Sequence, residues 1–265
     1  MRIDIISLFP QVFLPYIQTS MMRKAQERGI AHIFLHNLRD FAMDKHRTTD
    51  DYPYGGGAGM LLKPEPIYNA LEDVKRQCGE EGCVKHRIIL TSPQGMRFNQ
   101  SLAEELAKES HLVIICGHYE GVDDRVLDWV DDEISLGDFI LTGGEIPAMA
   151  IVDAVVRLQP DVLSEEEALR EESVSSGILE YPQFTRPAVF EGEEVPSILR
   201  SGNHQEVARW RRRRALERTL FRRPDLLISA NLSMEDLQIL KDIMRDLQII
   251  LEKQTEKLKE REMPR

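Results

Sequence analysis

Leu112-Val113-Ile114-Ile115-Cys116-Gly117-His118-Tyr119-Glu120-Gly121 passes from an apolar run straight into a loop with two glycines. The run lacks the polar alternation of a half-solvated strand, so it predicts a strand buried on both faces. Similar runs recur at Ile3 to Phe9, Ala31 to Leu35, Arg87 to Thr91, and Ile134 with Phe139 to Leu141. Between them, Phe13 to Arg28, Pro66 to Gln77, Asn99 to Lys108 and Glu145 to Leu158 carry helical spacing. Strand and helix alternate, which predicts an α/β fold around a mostly parallel sheet with ligand sites at the carboxyl ends of its strands.

Two more glycine loops follow predicted strands: Thr91-Ser92-Pro93-Gln94-Gly95, and the segment from Ser135 through Gly137, Gly143 and Gly144 to Glu145. Glycine there permits positive φ and close backbone approach, so the three loops predict a ligand held by main-chain groups at one sheet edge. None fits G-x-G-x-x-G or G-x-x-x-x-G-K-[ST], leaving dinucleotide and P-loop triphosphate sites unsupported. A fourth segment, Asp50 to Met60, carries Gly55, Gly56, Gly57 and Gly59 between Tyr54 and Met60. It reads either as a lid whose amides hold an anion or a base edge, or as a purely conformational turn.

The 265 residues include 45 Asp and Glu against 34 Lys and Arg, a formal net charge of −11. At 42% hydrophobic and 30% charged residues the composition is globular, and no apolar stretch is long enough for a membrane span. Three cysteines, Cys78, Cys83 and Cys116, match neither a disulfide framework nor a zinc module, which suggests a reducing, cytoplasmic setting. The average charge argues against binding nucleic acid over the whole surface, but its distribution is uneven. Asp161 to Glu180 holds seven acids against Arg170 and reads as an acidic linker. Arg200 to Arg223 holds nine arginines against Glu206 and Glu217, a candidate phosphate footprint or a solvated helix face. Trp210 in its midst reads as a core anchor. Ser233 is a plausible N-cap for a last amphipathic helix with Leu237, Leu240, Met244, Leu247, Leu251 and Leu258 on one stripe.

Taken in order, Asp51-Tyr52-Pro53-Tyr54-Gly55-Gly56-Gly57, Ser92-Pro93-Gln94-Gly95, Gly117-His118-Tyr119-Glu120-Gly121, Gly143-Gly144-Glu145, Tyr181 to Pro187 and Ser201-Gly202-Asn203-His204 resemble the bacterial tRNA (guanine-N1)-methyltransferases, over roughly Met1 to Leu227. The resemblance implies methyl transfer from S-adenosylmethionine to N1 of guanine 37 of tRNA, beside the anticodon. It also implies a SPOUT-type α/β domain with a deep C-terminal trefoil knot (1–160), a flexible acidic linker (161–176) and a small helical, tRNA-gripping domain (177–265). Pattern reasoning alone would not propose a knot. Family members are homodimers with shared active sites, and no membrane is involved.

Carried over by motif position, the cofactor site comprises Leu90, Thr91, Ser92 and Pro93; Gly117, Tyr119 and Glu120; and Ser135, Leu136, Gly137, Asp138, Phe139, Ile140, Leu141, Gly143, Gly144 and Pro147. The tRNA site comprises Asp50, Gly55, Gly56, Gly57, Gly59, Ser201, Asn203, His204, Arg209 and Arg211. Methylating a protonated guanine N1 needs a base for the proton and a cation for the charge developing on O6. By motif position these are Glu172, where the family has aspartate, and Arg157. Glu171 and Glu180 are neighbouring carboxylates. Two further departures are His118, where many relatives carry Arg, and Asp161, where the family usually has Gly. Magnesium is compatible with the resemblance, but no metal-ligand cluster is visible in the sequence. Competing readings are a SPOUT ribose 2′-O-methyltransferase, which would need an activated hydroxyl, and a non-catalytic RNA-binding regulator.

Overall fold

The computed structural model describes residues 1–80, 85–163 and 177–262. The chain divides into two compact units, Met1–Ser164 and Glu165–Arg265.

The first unit is a mixed α/β body around one five-stranded sheet. In chain order it contains β1 (Arg2–Ser7), α1 (Leu14–Ile17), α2 (Ser20–Glu27), β2 (His32–Asn37), the short strands β3 (Asp50–Asp51) and β4 (Leu61–Leu62), α3 (Pro64–Glu80), β5 (Arg87–Arg97), α4 (Gln100–Leu106), β6 (His111–Cys116), β7 (Asp132–Ser135) and α5 (Glu145–Val156). The sheet order is β2-β1-β6-β5-β7, with every pairing parallel. The apolar run Leu112–Cys116 occupies a central strand, and its residues alternate between two cores. Leu112, Ile114 and Cys116 join Ile3, Ile5 and Ile89 beneath α2, α4 and α5. Val113 and Ile115 join Ile6, Ile88 and Leu90 beneath α3. Both faces are covered, so period-2 geometry hides inside a continuous apolar sequence.

Several expectations change in detail. Phe13 to Arg28 does not form one helix: it breaks after Ile17, and Ser20 takes φ 48 at the start of α2. Ala31 to Leu35 is not a fully buried strand, because β2 is the sheet edge and alternates between exposed and partly buried residues. Phe139 to Leu141 forms no strand; these residues are exposed in the loop between β7 and α5. Cys78 is disulfide-bonded, contrary to the inference from cysteine spacing, which does not report how thiols approach in space. Cys116 is free and buried, and burial pushes its thiol pKa up.

One buried charge cluster fastens the start of β1. Asp4 has no exposed surface and accepts from Arg2 Nε at 2.7 Å, His36 Nε2 at 2.6 Å and His111 Nε2 at 2.8 Å. Burial alone would raise its pKa, but the donors from His111, His36 and Arg2 together outweigh that and hold it well below the usual carboxylate range.

The second unit contains the hairpin β8 (Val189–Phe190) and β9 (Glu193–Glu194), then α6 (His204–Arg222), α7 (Pro224–Ser229) and α8 (Met234–Glu262). Its small core gathers Ile178, Ala215, Leu216, Ile239 and Ile243. Ser233 caps α8: its Oγ accepts from the Asp236 N–H at 3.1 Å, while Asp236 accepts from the Ser233 N–H at 2.9 Å. Arg212 also grips Asp236 through two bonds of 2.6 and 2.7 Å, which lowers that carboxyl to about 2. Among the described residues no helix is long and apolar enough to cross a membrane.

Replacing Asp4 by Asn should cost about 3 kcal/mol, because it removes the buried carboxylate charge that Arg2, His36 and His111 share. In the unaltered chain this contribution is fully present above the unfolded-state pKa of Asp and is lost as pH falls below it toward the depressed native value. The gap between the urea midpoints of the two proteins should therefore narrow from neutral pH to pH 3; a constant gap would contradict this account.

Candidate functional site

β5, β6 and β7 lie side by side, and each carries one of the glycine loops: β6 and β7 at their carboxyl ends, β5 within its own span. The β5–β7 register shifts between Thr91 and Met96, so Ser92 to Gly95 bulge out of the ladder. Thr91 ties the loops together. Its Oγ1 accepts from the Gly117 N–H at 3.4 Å and lies 3.2 Å from the Ile115 carbonyl and 3.3 Å from that of Gly144. The Gly144 N–H in turn donates to the Gly117 carbonyl at 2.7 Å, and His118 pairs with Gly143 as an isolated bridge.

This approach leaves no room for a side chain. A Cβ on Gly144 would lie 2.0 Å from Thr91 Oγ1 and 2.8 Å from the Gly117 nitrogen, and one on Gly95 would lie 2.3 Å from the Glu133 carbonyl carbon. α5 begins at once after Gly144, with Glu145 buried in its first turn and accepting from Ser7 Oγ at 2.7 Å. A carboxylate there complements the positive helix end.

The loops enclose a cavity of roughly 430 Å³. It brings together Leu90, Thr91, Ser92, Pro93, Gly117, Tyr119, Glu120, Ser135, Leu136, Gly137, Phe139, Ile140, Leu141, Gly143, Gly144 and Pro147. Asp138 is the expected residue that does not line it; it points outward to Arg97. Sequence reasoning missed Val122, Asp124, Leu127 and Glu133 on the cavity wall. Glu133 is brought there only by pairing of β7 with β5, and the others belong to a turn with no motif of its own. His118 packs against Phe9 and Tyr119, and its buried Nδ1, 4.0 Å from Glu145 Oε2, has no hydrogen-bond partner among the described residues.

The glycine-rich segment abuts this cavity. Gly55, Gly56, Gly57 and Gly59 all have positive φ, and Tyr52 and Tyr54 are exposed. Asp50 sits in β3, paired with Leu62 of β4. The Glu120 N–H donates to the Met60 carbonyl at 3.1 Å, and the Leu62 N–H donates to that of Gly121 at 3.0 Å. A Cβ on Gly59 would lie 2.3 Å from Glu120 Cγ.

Arg157 caps the C-terminus of α5, outside the cavity lining. Glu172, with Glu171 and most of the acidic linker, lies outside the described residues. Asp161 has φ 65, a conformation that carries no steric penalty for glycine, and its carbonyl accepts from Arg28 at 2.8 Å.

In the second unit Ser201, Asn203 and His204 shape the entry to α6. Ser201 Oγ donates to the Ile198 carbonyl, Asn203 caps the helix by accepting from the Glu206 N–H, and His204 is its first residue. Five arginines of the cluster form ion pairs: Arg200 with Glu194, Arg212 with Asp236, Arg213 with Asp246, Arg214 with Glu217 and Arg223 with Asp225. Among the described residues, none pairs a carboxylate with Arg209, Arg211, Arg218 or Arg222; Arg211 lies over the Tyr181 ring at 4.8 Å. Trp210 is not a core anchor: it is half-buried beside Phe184, outside the apolar core of this unit.

Residues 1–229 match the family model described as tRNA (Guanine-1)-methyltransferase TrmD. The chain is 55% identical to the tRNA (guanine-N(1)-)-methyltransferase of Dictyoglomus turgidum, covering 93% of this chain and 98% of the relative. It is 54% identical to the protein of that name from Moorella thermoacetica, over 92% and 97% of the two chains. Against the Geobacillus kaustophilus protein, also so named, identity is 56% over 91% and 98%.

Gly144→Ala should cost roughly 2 kcal/mol through overpacking and lower the thermal midpoint by about 5 °C. Gly79→Ala, which meets open space in α3, should leave it equal or higher. Equal midpoints for Gly144→Ala and the unaltered chain would show that the loops can separate freely.

Proposed function

The chain belongs to the tRNA (guanine-1)-methyltransferase family, whose activity is methylation of N1 of a guanine in tRNA, and from this premise we propose that its target is guanine 37 and its donor S-adenosylmethionine. The observation that carries the reading is the convergence of the three glycine loops on one cavity. Its volume lies within the range of small-molecule sites. The lining suits this donor: apolar Leu90, Ile140 and Pro147 accommodate a purine, while loop backbone groups offer hydrogen bonds to its edge. Carboxylates of Glu120, Asp124 and Glu133 on the wall favour a ligand with positive sulfonium and ammonium groups, and His118 Nδ1 has a hydrogen bond to give or receive. When bound, the donor supplies an electrophilic methyl group.

The protein's own part is to free the N1 electron pair and hold it in line. Glu172 takes the N1 proton, and Arg157 steadies the negative charge that gathers on O6 as the proton leaves. Glutamate adds one methylene of reach and has a reference pKa of about 4.3, close to that of aspartate. Both roles rest on motif position. The trefoil knot that the family resemblance implies would lie where the Gly117 and Gly143–Gly144 segments approach each other. The segment Asp50 to Gly59 holds the tRNA beside the cavity, and the helical second unit forms the gripping domain, with Ser201, Asn203, His204, Arg209 and Arg211 at its tRNA face. Two copies share each active site. Among the described residues, no three His, Cys, Asp or Glu side chains converge as a metal site, and no step is assigned to magnesium.

Labelled S-adenosylmethionine with unmodified tRNA should label only transcripts carrying guanine 37, and the label should reside on N1; label on ribose would overturn the reading. Glu172→Gln should bind the donor normally in calorimetry yet lose at least about a hundredfold in single-turnover rate. Near-normal turnover would move the base elsewhere.

A further inference from the structure

One face of α6 carries Trp210, Arg214, Phe221 and Arg222, and across from it lie Pro182, Phe184 and Pro196. Together they border an open groove of about 370 Å³ that lies entirely within the second unit. Three aromatic rings line it without being packed away. Phe184 and Phe221 are 49% and 61% exposed, and Trp210 meets Phe184 at a ring separation of 6.4 Å. Arg214 lies 5.7 Å over the Trp210 ring and is charge-balanced by Glu217. Arg222 is exposed at the same edge and has no carboxylate partner among the described residues.

Exposed rings interleaved with guanidinium groups suit a planar, electron-rich ligand attached to an anion. An unpaired nucleotide has that chemistry: its base offers a π-face to an aromatic ring or an arginine plane, and its phosphate pairs with a cation. A duplex keeps its bases stacked on one another and offers no open base face to a ring. We propose that this groove holds an unpaired nucleotide of the tRNA, the base stacked on Phe184 and Phe221 beside Trp210 and the phosphate on Arg222. The inference rests on the tRNA-methyltransferase reading and adds a base-stacking contact to the second unit, at residues other than those already assigned to its tRNA face.

The experiment uses the full chain with unmodified tRNA bearing guanine 37. Phe221→Leu keeps an apolar side chain but loses the π-face, and Phe221→Tyr keeps both. Phe221→Leu should raise KM for tRNA about tenfold with little change in KM for S-adenosylmethionine, and Phe221→Tyr should restore it. Arg222→Ala should weaken tRNA binding and reduce the slope of log affinity against log salt by about 0.7. Because these side chains are exposed, thermal midpoints should stay at that of the unaltered chain. A transcript substituted with 4-thiouridine at its unpaired positions should crosslink to peptides containing Phe184 or Phe221. Unchanged tRNA KM in Phe221→Leu, with methylation intact, would overturn the groove alone. Failure of the unaltered chain to methylate the transcript would sink the tRNA reading and the groove with it.

Discussion

At Gly144 the chain passes so close to Thr91 and Gly117 that only backbone fits, and the first unit's site follows from that contact. Three segments far apart in sequence must meet there: the middle of β5, the residue after β6 and the residue before α5. The Thr91 hydroxyl holds them by bridging main-chain groups of β6 and of the loop before α5. The meeting fixes where α5 starts, and so buries Glu145 at the positive end of that helix. Peptide groups not used in joining the loops then face the cavity. A site built this way recognises its ligand through backbone geometry, and the nearby side chains contribute charge and apolar surface.

The charge distribution follows a similar logic of local pairing. The nine arginines between Arg200 and Arg223 read along the sequence as one basic block, but folding divides them into two populations. Five are engaged with carboxylates, among them Arg212, which locks α6 to the start of α8. Of the rest, Arg218 donates to the Glu180 carbonyl, Arg211 lies over the Tyr181 ring, and no carboxylate among the described residues pairs with any of them. An average of −11 over the chain therefore says little about what any one face can bind.

Much of the fold was readable because both faces of the sheet are covered, which writes β1, β5 and β6 as apolar runs. The edge strand β2 carries the same kind of apolar run, Ile33-Phe34-Leu35, but with a neighbour on one side only, and its burial is partial. Phe139, Ile140 and Leu141 carry the pattern of a strand but line the cavity from an exposed loop, because apolar residues beside a ligand site look like core in sequence. The glycine loops were legible as loops, and nearly all their expected residues meet at one cavity. Glu133 was not, since only the parallel register of β7 against β5 brings it to the wall. Asp161 shows the opposite case: where the resemblance implies Gly, the aspartate takes φ 65, a conformation open to glycine at no steric cost.

Gly59 and Glu120 belong to different loops, yet the space one leaves is the space the other fills. Any side chain at 59 would have to adopt an unfavourable φ and would also swing Glu120 aside, which a flexible glutamate can do with little damage to the core. The disturbance would then surface as altered polarity of the cavity wall, far more than as lost stability. The two positions cannot drift independently, and a screen that scores variants by folding alone would pass changes at residue 59 that reshape the neighbouring binding site.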